Sequence, residues 1–372
     1  VRDRPDIAVL LERFGSGGVE RVACLLANGL VDQGVRVDFL VLADEGPVRD
    51  ILASGVTTIV LGEASPGGRG FRLIRAIPAI ARYLKQRRPR IFLSPGNHTH
   101  VAAALAHRLA GSNDVAWIAK VTNPILKDAH SQWRQWITRH FYRRAFSRAA
   151  MIFVLSRNGV QRMGAIDPAL VPRTRFVRNP YVTAAMMKEP PIPAPLPGIP
   201  VILSIGRLST QKNQAMLLQA AALIADRPWH IRLVGTGPEE TNLRAKAVAL
   251  GIADRVTFAG FVTDVRQEYR QATMLALSSL WEDLPATMVE ALACGCPVVA
   301  TACSEAVVTF LAEAGATPPT GIDDVTGFAQ AMARTLDLGR AVVDPALLLP
   351  YGIDAAVNDH LAFFRPFLSE GR

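Results

Sequence analysis

Acidic side chains are almost missing from one long stretch of this sequence. Between residues 64 and 166 there are 18 Lys and Arg against two acids, Asp114 and Asp128. The net charge is +9, so this surplus of 16 leaves the rest of the chain net negative by 7. A surface of one sign draws an anionic partner: a membrane surface, a lipid diphosphate or a polyanion. Cysteine is scarce too. Cys24, Cys294, Cys296 and Cys303 show no paired zinc spacing and read as small buried residues of a reducing compartment. Aromatics are only 7% of a half-apolar chain, as in α/β proteins rich in Ala, Val and Leu. No apolar run of about 18 residues lacks charges, so no spanning helix is indicated. The opening VRDRPDIAVLL runs straight into a strand without a secretory apolar core. A cytoplasmic location is expected, with peripheral contact at the inner face of the membrane. No D-x-D motif or metal cluster is visible, and the basic surplus carries no nucleic-acid recognition motif. Neither a metal, a cofactor nor a nucleic-acid partner is expected.

What is present centres on residues 278–301, SSLWEDLPATMVEALACGCPVVAT. Pro285 suits a first helical position, where a missing N–H costs nothing. Residues 286–294 have good helix propensity. Gly295 fits the left-handed residue past a helix end, Pro297 stops continuation, and PVVAT reads as a buried strand. Glu282 and Glu290 bracket this unit. Eight helical residues rise about 12 Å, which argues against a carboxylate dyad. The two acids fit opposite ends of one long ligand whose middle lies on a helix N-terminus, where free N–H groups suit a phosphate. A nucleotide-sugar has that layout.

Glu282-x7-Glu290 with EALACGCPVV resembles the donor-site signature of glycosyltransferase family 4, the retaining GT-B nucleotide-sugar glycosyltransferases. GRLSTQKN at residues 206–213 resembles the family's phosphate-binding loop. The resemblance extends over nearly the whole chain. It implies an α/β fold of two Rossmann-like parallel-sheet domains facing across a cleft: residues 1–182 binding acceptor, a Pro-rich linker at 183–200, a nucleotide-sugar domain at 201–350, and a terminal helix at 351–372 crossing back. Arg207 and Lys212 carry over as phosphate ligands and, with Glu282, as the catalytic set. Donor contacts are implied at Gly17, Gly18, Gly206, Gly235, Val262, Asp283, Leu284, Pro285, Ala286 and Glu290.

The remaining chain reads as repeating strand–helix units. A strand at 6–11 leads to RFGSGG, whose glycines precede a helix near Val19; a ligand loop and a plain tight turn both fit. Glu20 reads as a first-turn helix acid. Residues 71–85 read as one helix bent at Pro78, with Arg72, Arg75, Arg82 and Lys85 on one side. His98 follows a strand end, where such sheets hold ligands. His98 and Asn123 are the acceptor-side candidates; relatives often carry a His where this chain has Thr122-Asn123. Residues 133–148, WRQWITRHFYRRAFSR, hold five Arg and no acid. Trp133, Trp136, Ile137 and Phe141 share an arc that Arg144 and Arg148 also reach, so a membrane-touching helix and an ordinary basic helix both fit.

The resemblance implies metal-independent transfer of a hexose from a nucleotide diphosphate-sugar, UDP-linked, to a hydroxyl acceptor; the basic and aromatic content favours a lipid-linked or cell-envelope glycan over a small metabolite. Glu282 would orient the sugar and Glu290 accept ribose hydroxyls. Two other readings are a sugar-nucleotide epimerase and a non-catalytic GT-B subunit of a glycan-assembly complex.

Overall fold

The structure, a computed structural model, describes residues 4–62, 68–126, 131–188, 198–338 and 343–369. The elements run β1 (Ile7–Leu10), α1 (Gly18–Asp32), β2 (Val37–Val41), β3 (Thr57–Val60), α2 (Arg69–Arg75), α3 (Ile77–Arg87), β4 (Ile91–Ser94), α4 (His100–Ala110), β5 (Ala116–Val121), α5 (Gln132–Phe146), β6 (Met151–Val154), α6 (Arg157–Ile166) and β7 (Thr174–Phe176). They continue α7 (Ala184–Lys188), β8 (Val201–Ile205), α8 (Gln214–Ala222), β9 (His230–Val234), α9 (Glu240–Ala249), β10 (Val256–Gly260), α10 (Val265–Gln271), β11 (Met274–Leu277) and α11 (Ala286–Ala293). Then come β12 (Val298–Ala300), α12 (Glu305–Glu313), α13 (Val325–Leu338), α14 (Pro345–Leu348) and α15 (Ile353–Ser369).

Two compact units form. One holds Val1–Pro180 with Ile353–Arg372, the other Tyr181–Gly352. These divisions fall two residues from the 182 and 350 read from the sequence. The first unit contains a seven-stranded sheet in the order β3-β2-β1-β4-β5-β6-β7, the second a five-stranded sheet in the order β10-β9-β8-β11-β12. The pairings between these strands are all parallel. Parallel strands need crossovers, and those helices cover both faces. That is why β1 is buried at every position. Ile7 and Val9 face the cluster that contains α1 and α15 side chains, while Ala8 and Leu10 face that of α3, α4 and α6.

Two sequence readings are corrected. Residues 71–85 are two helices, α2 and α3, because Pro78 lies in the first turn of α3. A proline lacks the N–H an interior turn must donate, so the chain restarts there instead of bending. The expected linker at 183–200 begins with α7, and its centre, residues 189–197, lies outside the described residues.

α15 meets β5 through a buried basic pair. Lys120 Nζ lies 3.0 Å from His360 Nε2, and His360 Nδ1 is 2.7 Å from the Ala356 carbonyl. A carbonyl only accepts, so Nδ1 carries the proton and Nε2 accepts from Lys120. Among the described residues no carboxylate pairs with Lys120. Burial pushes its ammonium down to about 7, and burial with the Lys120 charge holds His360 well below the usual imidazole range. Between those Lys120 values the unfolded chain binds a proton that the folded chain does not, so stability rises as pH climbs from about 7 toward 10.5. Lys120→Met with His360→Leu should therefore melt higher than wild type near neutrality, with the gap closing near pH 10.5. Calorimetry of both proteins across that range checks it; a gap independent of pH would contradict the neutral-lysine assignment.

Candidate functional site

In an open parallel sheet a crevice opens at the carboxyl ends of the strands where the strand order reverses. In the second unit that point lies between β8 and β11. Their following loops carry Gly206, Arg207 and Lys212 on one side and Glu282 to Ala286 on the other. The loop after β9 packs main chain to main chain against the first of these. Leu208 N–H donates to Thr236 O at 3.1 Å and Glu239 N–H to Leu208 O at 3.1 Å. Gly235 has φ +133°, and a Cβ there would stand 2.1 Å from Gly206 O. A Cβ on Gly237 would stand 2.1 Å from Leu208 O. Only residues without side chains permit such an approach. Val262 follows β10 and is half-buried.

Lys212 and Glu282 form an ion pair, Nζ to Oε1 at 2.7 Å, with side chains 20% and 10% exposed. Ser279 Oγ donates to the same oxygen at 3.2 Å. Both loops are pinned to each other. Leu280 N–H donates to Gln211 O at 2.8 Å, Gln211 Nε2 to Trp281 O at 2.9 Å and Ser278 Oγ to Lys212 O at 3.0 Å. The contacts given for the Glu282 carboxylate among the described residues fall on Oε1. Arg207 is exposed and has no ion-pair partner among them.

The next residues are also tied down. Asp283 is buried and its carbonyl accepts from Ser304 Oγ at 2.7 Å, while Leu284 O accepts from Tyr181 OH at 3.0 Å. Pro285 is the extended residue before α11, not its first helical residue; the helix begins at Ala286. Its opening N–H groups have no intrahelical acceptor. Glu290, buried on α11, accepts from Tyr269 OH at 2.8 Å. The two acids thus have different named partners. Burial, reinforced by the Glu282 charge, pushes the nearby Cys303 thiol up to about 12, so it stays protonated and inert beside the site.

The first unit reverses strand order between β1 and β4. Gly17 caps α1 with an ordinary φ of −80°, and Gly18 opens the helix. Glu20, in that first turn, is buried 3.5 Å from Arg69. Glu12, just after β1, is buried with Arg72 at 2.5 Å, Arg13 at 3.4 Å and Arg69 at 3.6 Å. His98 follows β4; burial, with Arg69 adding to it, pushes its imidazole down to about 4. It is neutral at physiological pH, and its buried Nε2 has no hydrogen-bond partner among the described residues. Asn97 joins this loop to the one after β5, giving Nδ2–H to Asn123 O at 2.8 Å and accepting from Thr122 N–H at 3.0 Å. Asn123 Oδ1 is likewise buried without a hydrogen-bond partner among the described residues.

Gly17, Gly18, His98 and Asn123 therefore belong to the first unit, and the other candidates to the second. Sequence reasoning missed Ser279, Gln211, Gly237 and Tyr181 in the second, and Glu12, Arg69 and Asn97 in the first; Arg72, read as part of a basic helix side, turns to Glu12. Gln211 and Gly237 stood inside the stretches GRLSTQKN and GTGPEE and were findable there. Asn97 acts through contacts to residues 25 and 26 positions away, which leave no local pattern. Among the described residues no group of three His, Cys, Asp or Glu is placed to hold a metal ion.

Two family descriptions match the chain: "Glycosyl transferase 4-like domain" over residues 17–181 and "Glycosyl transferases group 1" over residues 199–337. An uncharacterized glycosyltransferase of Haemophilus influenzae is 39% identical over 108 residues, which is 28% of this chain and 31% of that one. A lipopolysaccharide core biosynthesis glycosyltransferase of Rhizobium meliloti is 34% identical over 135 residues, 36% of this chain and 39% of that one. The chain thus matches each of these relatives over well under half its length. Anabaena HepE, solved in complex with UDP and glucose, superposes with a TM-score of 0.75 at 18% identity, covering 97% of this chain and 99% of that one. That likeness shows the fold. With one family match on each of two parallel-sheet units, the chain belongs to the GT4-type GT-B glycosyltransferases.

Proposed function

We propose that this protein transfers a hexose from UDP-hexose to a hydroxyl of a lipid-linked or envelope glycan, with retention and without a metal, at the cytoplasmic face of a membrane. The observation that carries the reading is the Lys212–Glu282 pair at the β8/β11 switch point, with Arg207 exposed beside it. The UDP and glucose of HepE and the lipopolysaccharide role of the Rhizobium relative support the choice of donor and acceptor.

Lys212 gives one N–H to Glu282 and has two more for a β-phosphate oxygen. As the bond from the anomeric carbon to the diphosphate breaks, its electron pair moves onto that phosphate. Arg207, Lys212 and the first N–H groups of α11 stabilise the growing charge. Glu282 Oε2 accepts a sugar hydroxyl and favours positive charge on the ring. The acceptor oxygen bonds to the anomeric carbon from the side the phosphate leaves, and its proton passes to a phosphate oxygen. Glu290 receives ribose hydroxyls, and the backbone near Gly206, Gly235 and Val262 lies against the nucleotide. On the acceptor side, the unpaired atoms of His98 and Asn123 hydrogen-bond the incoming glycan.

Melting curves with UDP-, GDP- and ADP-hexoses test the donor. UDP-hexose at a hundred times its Kd should add about 2.7 kcal/mol of stability by mass action, unchanged by EDTA. No stabilisation by any of the three would end the transferase reading. Free nucleotide formed only with acceptor present separates transfer from epimerisation.

A further inference from the structure

We propose that the outer face of α5, with the adjoining part of α2, is a docking surface for an anionic lipid bilayer. This inference goes beyond the sugar transfer and does not depend on which donor is used. α5 is an unusual helix for a folded domain, because Phe146 is its one buried residue. Tyr142 packs partly beside it, and Arg143 reaches Asp167 at 3.0 Å. These contacts fix which side faces the core. At 100° per residue, Trp133, Trp136, Ile137 and Phe141 fall on the opposite side. They are 61%, 66%, 49% and 46% exposed. Large apolar side chains grouped in this way on one outward face mark an interaction site.

The surrounding charge selects the partner. Arg139 and Arg134 border the apolar arc on either side, and Arg144 and Arg148 occupy its carboxyl-terminal end; α5 contains no acid. α4 packs on both α5 and α2. α2 adds Phe71 and Ile74, each 54% exposed, next to the exposed Arg75. Tryptophans amid arginines suit a lipid interface: rings enter the headgroup boundary while guanidinium groups stay at the phosphates. Among the described residues no helix is long and apolar enough to cross a membrane, so this is surface attachment. α5 starts beyond the carboxyl end of β5, the edge of the sheet that also bears His98 and Asn123. Docking by this face would bring those loops to the bilayer.

The test is sedimentation of the full protein with phosphatidylglycerol/phosphatidylcholine vesicles and with phosphatidylcholine vesicles alone. Wild type should bind the anionic vesicles, less so at high salt, with quenching of tryptophan emission by brominated lipid. Trp133→Ser with Trp136→Ser should weaken partition by about tenfold or more while melting like wild type and keeping nucleotide-sugar stabilisation. Arg139→Ser with Arg144→Ser should reduce the salt-sensitive part. Absent binding to anionic vesicles would overturn the proposal, as would binding indifferent to the Trp replacements. So would a concentration-dependent dimer that dissolves on Trp replacement without vesicle binding, because the face would then belong to a second copy.

Discussion

Lys212→Ala is expected to lower kcat by about 10² to 10³-fold, the range for removing one donor aimed at developing negative charge. The ammonium sits 2.7 Å from Glu282 and only a fifth of its side chain is exposed, so solvent cannot replace it freely. The same change leaves Glu282 with Ser279 as its remaining partner among the described residues, and a carboxylate largely out of water without its cation is costly. Lys212→Ala should therefore also lower Tm. Glu282→Gln keeps the shape and the Ser279 contact but removes the charge, and it should lower kcat about 10²-fold with a smaller change in Tm. Combining Lys212→Met with Glu282→Gln separates the two effects. With no charge left unpaired, stability should recover while transfer stays lost, and the losses in kcat should be less than additive because both residues act through one ion pair. Near-wild-type kcat in either single variant would remove this pair from the chemistry.

The alternation of strands and helices could be read from the chain because a parallel sheet covered on both faces makes its strands continuous apolar runs. IAVL and MLAL are legible for that reason alone. β3 escaped notice since Thr57–Val60, at the sheet edge, has no fully buried residue. The donor-side loops announced themselves through Gly206, Lys212 and Glu282, which lie in short contiguous stretches. The first unit's polar cluster did not. Glu12, Arg69 and His98 come from three separate segments, and only the β1/β4 reversal gathers them. Exposure was equally hidden. The apolar arc of α5 can be drawn from periodicity, but the same arc would face inward in an ordinary helix. The burial of Phe146 decides its direction.

Gly235→Ala is expected to destabilise the protein and to abolish donor stabilisation, although Gly→Ala ordinarily stiffens the unfolded chain and stabilises by about 0.4 to 1 kcal/mol where the backbone tolerates it. Two costs reverse the sign here. The φ of +133° is a conformation that residues with a Cβ rarely adopt and costs about 1 to 3 kcal/mol. The added methyl would also meet Gly206 O at 2.1 Å, and both parties are main chain, so no rotamer can relieve the clash. The loop after β8 must move outward by more than an ångström to restore ordinary contact. Arg207 is the next residue along that loop, and a displacement of this size at a charge-stabilising group is worth about 10²-fold in rate. Gly70→Ala supplies the comparison, since that position is helical with open space around it; it should leave Tm unchanged or raised and donor binding intact. If Gly235→Ala behaved like Gly70→Ala, the close approach of the β8 and β9 loops would not be what places Arg207, and the donor site would have to be held by the Leu280–Gln211, Gln211–Trp281 and Ser278–Lys212 contacts between the β8 and β11 loops.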